Sequence, residues 1–121
     1  MKQIFLVFIG GGSGSIARYL ISKYLNNSST GIPYGTLTAN VLGCLFIGVI
    51  LGLSLKNNII SQNTVLLLAT GFCGGFTTFS TLAYENHMLL KSGDFINFIL
   101  YTTGSLVIGL LFVFLGMFIT K

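Results

Sequence analysis

Charge is what this sequence has least of. Of its 121 residues only 7% are charged, six basic and two acidic. A soluble domain needs a charged exterior, typically about a quarter of its residues, so this chain has too few charges to face water. The basic residues are scattered singly, and a net charge of +4 without a basic run gives nucleic acid nothing to hold. Tryptophan is absent, and there are one proline and two cysteines. Cys44 and Cys73 lie in apolar stretches without metal-ligand spacing, which reads as two small core residues rather than a disulfide or thiol chemistry. There is no cluster of His, Cys and carboxylate suited to metal catalysis, His87 stands alone near a membrane boundary, and Glu85 has no catalytic partner nearby in sequence. Enzymatic chemistry is not expected.

What is present is hydrophobic, 53% of the chain. A membrane-spanning helix needs about 20 mostly apolar residues. Four windows qualify, Ile4–Tyr24, Pro33–Leu55, Thr64–Leu90 and Phe95–Thr120, joined by short polar connectors that leave no room for a soluble domain. The expected architecture is therefore all-α, a single four-helix transmembrane domain over residues 1–121. The first apolar stretch continues through GGGSGSIARYL without a convincing cleavage site and is expected to remain as a span rather than a signal peptide. Its glycines lack the Lys-Ser/Thr of a P-loop and the spacing of a dinucleotide fingerprint. Pro33 suits the first turn of the second helix, where its missing N–H is harmless.

Small residues recur at four-residue spacing: Gly10/Gly14, Gly35/Ala39/Gly43, Gly48/Gly52 and Gly71/Gly75. In a membrane such rows let helix backbones approach closely. The third window adds something else, for it is longer than a straight span needs and its middle reads GFCGGFTTFST, Gly71–Thr81. Glycines followed by β-branched threonines weaken a helix, and non-helical backbone at membrane depth survives only inside protein or along a cavity. A break near Gly71–Gly75 is expected, with helix on both sides, the alternative being a continuous helix that uses its glycines for tight packing.

Positive charges usually set orientation. Here Lys2, Lys56 and Lys121 fall on one side of a four-span arrangement, against Lys23 and Lys91 on the other, with Arg18 about a turn deeper. The balance chooses neither orientation, which suits a chain that inserts both ways and pairs as two opposed copies about a two-fold axis.

Polar side chains inside the spans mark a pathway or an interface. Thr36 and Asn40 are one turn apart on the second span. Thr77, Ser80 and Thr81 follow the expected break, Glu85 lies a turn beyond Thr81, and Tyr101 and Ser105 share a face of the fourth span. A lone hydroxyl can satisfy itself on its own helix backbone, but the Asn40 amide has four hydrogen-bonding positions to fill. Phe76 and Phe79 are three apart, which on a helix puts both on one face. Aromatic ring edges are electropositive, and a conducting site must hold its ion firmly enough to strip water yet loosely enough to release it. Amide donors, hydroxyls and ring edges meet that demand for an anion.

The segments GFCGGFTTFST (Gly71–Thr81), PYGTLTANVLGC (Pro33–Cys44) and GGGSGSIARY (Gly10–Tyr19) closely resemble the small fluoride channels called Fluc or CrcB, and the resemblance runs in order along nearly the whole chain. It implies a dual-topology antiparallel dimer in the plasma membrane, with the third helix broken near its middle and two fluoride pores that let toxic fluoride leave the cell passively. By the resemblance, Phe76 and Phe79 line the pore through their ring edges with Asn40, and Ser80, Thr81, Tyr101 and Ser105 form a polar track. Gly71 and Gly74 would offer backbone carbonyls from both subunits to a structural sodium ion at the two-fold axis. Arg18, Thr36 and Glu85 take vestibule or structural roles. Where some relatives carry a serine one turn beyond Ser105, this chain has Gly109. The expected partners are fluoride, the lipid bilayer and a second copy in opposite orientation, or a paralogous subunit of an obligate heterodimer. A proton-coupled small multidrug-type transporter is the rival of a different class, and Glu85 would be its only span carboxylate.

Overall fold

A computed structural model of the chain describes residues 1–26, 31–56 and 59–121. Among the described residues it is all-helical, with four helical spans long and apolar enough to cross a membrane: Lys2–Leu25, Tyr34–Ser54, Gln62–Lys91 and Phe95–Ile119. Large apolar side chains point outward along them, Phe8, Ile96 and Phe118 among them, as expected where lipid rather than water is the neighbour. Pro33 lies one position before the helical turn proposed for it. It is the N-cap of Tyr34–Ser54, with φ −79° and ψ 86°, and its carbonyl accepts the Leu37 N–H at 3.1 Å.

The rows of small residues are where the helices meet. The first span packs on the third, and the second on the fourth. A Cβ on Gly14 would collide with the Phe72 carbonyl and lie 2.8 Å from the Phe76 nitrogen, while one on Gly75 would strike the backbone of Gly11. Gly48 lies equally close to the Val113 carbonyl, and Gly116 to that of Leu45. With lipid tails as apolar as the side chains, close backbone approach and van der Waals contact hold the helices together.

The third span departs most from a regular helix. After one α-turn, Gln62–Val65, it widens into π-helical turns over Leu66–Cys73, then ends with a last α-turn, Gly74–Phe76. Helix resumes at Phe79 and continues to Lys91. Gly71–Gly75, where a break was expected, is therefore helical, and Gly74 itself has φ −61° and ψ −39°. The extended residues come just after, Thr77 at φ −88°, ψ 156° and Thr78 at φ −149°, ψ 124°. The physical reason lies in the side chains. Glycine lowers helix propensity without forbidding helix, and here the absence of Cβ atoms on Gly71 and Gly75 lets this stretch lie against the first span. Threonine is stiff at χ1 and prefers extended backbone. Thr77 also turns its hydroxyl back to the Cys73 carbonyl at 2.8 Å, and Thr78 accepts the Thr81 N–H at 3.2 Å as N-cap of the second arm, satisfying one of the donors a helix start leaves open.

Candidate functional site

Two polar assemblies lie along the inner faces of the second, third and fourth spans, one at mid-depth and one nearer the end that carries Asn26. At mid-depth, Asn40 projects from the second span to the extended residues of the third. The Thr78 N–H donates to Asn40 Oδ1 at 2.7 Å, and Asn40 Nδ2 donates to the Thr78 carbonyl at 3.2 Å. A peptide that has left helical bonding is thus paired on both edges by one carboxamide, as a buried backbone group requires. Among the described residues, one Nδ2–H of Asn40 has no further protein acceptor.

Beside this clasp lies a groove of about 520 Å³ whose lining includes Asn40, Gly43, Cys73, Gly74, Phe79 and Ser105. It opens on the outer surface of the helix bundle. Phe79 stands at its edge, 79% exposed. The Ser105 hydroxyl is buried and, among the described residues, without a hydrogen-bond partner, although a helical serine normally returns its proton to the preceding turn. An unpartnered buried hydroxyl needs an explanation, and Ser105 is one of the residues that line the groove.

Phe76 takes a different place. It ends one helical arm while Phe79 begins the next, so the common helix face expected from their spacing does not exist. Two extended residues intervene, and the period that would align them is lost. Phe76 is 3% exposed, stacked on Phe72 at 5.4 Å between ring centroids and tilted against Phe46 at 6.3 Å. Ser80 is exposed, with its hydroxyl 3.4 Å from that of Thr78, and Thr81 is drawn back by its capped N–H. Neither lines the groove.

The second assembly joins all four spans. Glu85 Oε1 accepts the Tyr101 hydroxyl at 2.7 Å, and Oε2 accepts that of Thr36 at 2.9 Å. Asn26, just past the first span, accepts the N–H groups of Gly35 at 2.6 Å and Thr36 at 3.1 Å and donates to the Thr36 hydroxyl at 3.2 Å. It therefore caps the second span from outside that helix and also orients Thr36 toward Glu85. Tyr101 and Thr36 are almost fully buried, each one turn from a groove residue, Ser105 and Asn40. The two assemblies lie in series. Arg18 belongs to neither and instead donates from Nε to the Gly75 carbonyl at 3.1 Å, a cation at the carbonyl end of the first arm, where the helix dipole favours it.

Two residues of this arrangement escaped the sequence reading. Thr78 carried a local signal, a threonine three residues ahead of another at the start of a helix, the position an N-cap prefers. Asn26 carried none, since it caps a helix that begins eight residues later.

The Gly71 and Gly74 carbonyls have the chemistry a sodium ion accepts, neutral hard oxygens with no carboxylate that would favour a divalent ion. Gly74 is exposed, and the Thr78 N–H that would bond its carbonyl in a continuing helix goes to Asn40 instead. Gly71 is buried, and its carbonyl accepts the Gly74 N–H. The Gly74 carbonyl is the one released by the backbone.

Comparison with known proteins gives a consistent family. Residues 5–117 match the family described as CrcB-like protein, Camphor Resistance (CrcB). A protein of Prosthecochloris aestuarii named fluoride-specific ion channel FluC is 49% identical over 120 residues, covering 99% of this chain and 94% of that protein. Proteins of the same name from Azobacteroides pseudotrichonymphae and Phocaeicola vulgatus are each 43% identical over 122 residues, covering 100% of this chain and 98% and 100% of theirs. Matched along almost all of its length, the chain belongs to the CrcB-like family.

Proposed function

We propose that this chain is a fluoride-selective ion channel, not an enzyme, and that it lets fluoride leave the cell passively. The observation that carries the reading is the groove in which a free Asn40 N–H, the Phe79 ring and the unpartnered Ser105 hydroxyl come together. All are neutral. They offer an anion hydrogen-bond donors and an electropositive ring edge, without a cationic side chain that would trap it. The relatives named as fluoride-specific ion channels supply the ion.

The groove is open on the subunit's outer surface, so a second copy is needed to close it. An antiparallel dual-topology dimer suits the balanced lysines and would form two pores, each completed by both copies. In it the extended pair Thr77–Thr78 serves as the break in the third span, and Gly74, with Gly71 of the buried turn, would hold sodium at the two-fold axis. The bound cation would supply a fixed positive charge there, balanced by carbonyl dipoles alone. Phe76 supports the pore wall from behind Gly43, where a Cβ would lie 3.4 Å from its ring. The Glu85, Thr36 and Tyr101 assembly continues the polar path toward the membrane boundary.

The test is efflux from liposomes loaded with fluoride and, separately, chloride. Fluoride release without chloride release is expected from the purified protein. Release of both, or of neither, overturns the reading. A reporter on the C-terminus, detected from both sides of the membrane, is the expected result for dual topology.

A further inference from the structure

At the end of the bundle opposite the Glu85 assembly, a second groove of about 570 Å³ runs between the ends of the second and fourth spans. Its floor is Gly52, its walls include Leu55, Phe114 and Phe118, and Lys56 and Lys121 stand at its rim. The close approach at Gly52, where a Cβ would collide with the Thr120 hydroxyl, sets its depth. The apolar side chains are exposed, Leu55 at 75% and Phe118 at 71%. Both lysines are exposed, and among the described residues neither has an ion-pair partner.

Charge is distributed unevenly between the ends of the molecule. The chain's two acidic side chains are Glu85 and Asp94. Asp94 caps the start of the fourth span, and Glu85 lies on the arm leading to it. The groove near that end, lined by Asn26, Tyr84 and Glu85, therefore contains a carboxylate. Among the described residues the Lys56 groove is lined by two basic side chains and no acidic one, at the ends of the second and fourth spans. A basic rim over an apolar trough between helices is the arrangement that takes an acidic lipid, with the phosphate at the lysines and an acyl chain along the aromatic wall.

We propose that the groove between the second and fourth spans is a binding site for an anionic phospholipid, with Lys56 and Lys121 recognising the headgroup. The site stands apart from the ion path and does not depend on the function proposed above.

Native mass spectrometry of the full-length protein released from bilayers of mixed phosphatidylglycerol and phosphatidylcholine tests it. The wild type is expected to retain phosphatidylglycerol in excess of its share of the bilayer. Each lysine at an anionic surface is worth about five-fold in binding, the equivalent of about 1 kcal/mol. Lys56→Gln with Lys121→Gln should therefore lower the retained ratio at least ten-fold. Lys23→Gln with Lys91→Gln, at the other end, should leave it within about two-fold, and these surface changes leave the helix packing untouched. Equal retention of the two lipids by the wild type overturns the proposal, as does an unchanged ratio in the Lys56/Lys121 variant. If Phe118→Cys instead links two copies through a disulfide in phosphatidylcholine bilayers, the groove belongs to a protein interface and the proposal also fails.

Discussion

Asn40 holds Thr78 by both edges of its peptide, accepting its N–H at 2.7 Å and donating to its carbonyl at 3.2 Å. The second span thereby fixes the point at which the third leaves helical geometry. Asn40→Asp removes the donor and sets a carboxylate oxygen against the Thr78 carbonyl. The expected outcome is loss of fluoride efflux together with a destabilisation of about 1–3 kcal/mol, the range for leaving a buried polar group unpaired. Thermal unfolding in detergent alongside the efflux assay measures both.

The two phenylalanines of the third span should separate stability from conduction. Phe79 is largely exposed on the groove, whereas Phe76 is packed against Phe72 and Phe46. Phe79→Ile is expected to abolish efflux while shifting the unfolding temperature little. Phe76→Ala should cost about 3–5 kcal/mol, as truncation of a buried ring does, and should lower the yield of folded protein. Equal thermal effects from the two substitutions would contradict this division.

How far the sequence reveals these features follows from the range of the interactions. Spans, connectors and small-residue rows depend on composition and period, which are local, and the four apolar helices follow from them. Asn40 stood out because an amide in lipid must find partners. The bond it makes joins residues 38 apart in sequence, and no local pattern indicates that the partner is the Thr78 peptide. The glycines of Gly71–Gly75 suggested non-helical backbone, yet Gly71 and Gly75 mark contact with the first span, while the threonines beside them are extended. The paired reading of Phe76 and Phe79 failed for the same reason, since counting residues assumes that the helix continues. Tyr101 was grouped with Ser105 by spacing, but its hydroxyl turns to Glu85 across the fold.

Tyr101 and Thr36 donate to different oxygens of Glu85, so the carboxylate couples the second and fourth spans through the third. Tyr101→Phe and Thr36→Val each remove one donor and should each cost about 1 kcal/mol. Glu85→Gln should cost more than either alone, because its amide nitrogen cannot accept and faces a hydroxyl donor. In a double-mutant cycle, Tyr101→Phe is expected to lose part of its effect when made on Glu85→Gln, with a coupling of about 0.5 kcal/mol or more. Additive thermal shifts would mean that the hydroxyl and the carboxylate act independently.

Two glycines two residues apart on the first span make opposite demands. At Gly12 an added Cβ meets nothing within 4 Å, whereas at Gly14 it meets the Phe72 carbonyl and the Phe76 nitrogen. These are backbone atoms and cannot swing aside as a side-chain end would. Gly14→Ala must push the first and third spans apart, at an expected cost of about 1–3 kcal/mol for overpacking. Because Phe76 ends the arm that leads into Thr77 and Thr78, the displacement should also reduce fluoride efflux. Gly12→Ala should be neutral or stabilise by up to about 1 kcal/mol through helix propensity alone. Unfolding temperatures and efflux of the two variants, compared in the same membrane, test whether the glycine row serves contact or mere flexibility. A flexible hinge would make both substitutions harmful; a contact surface makes only Gly14→Ala so.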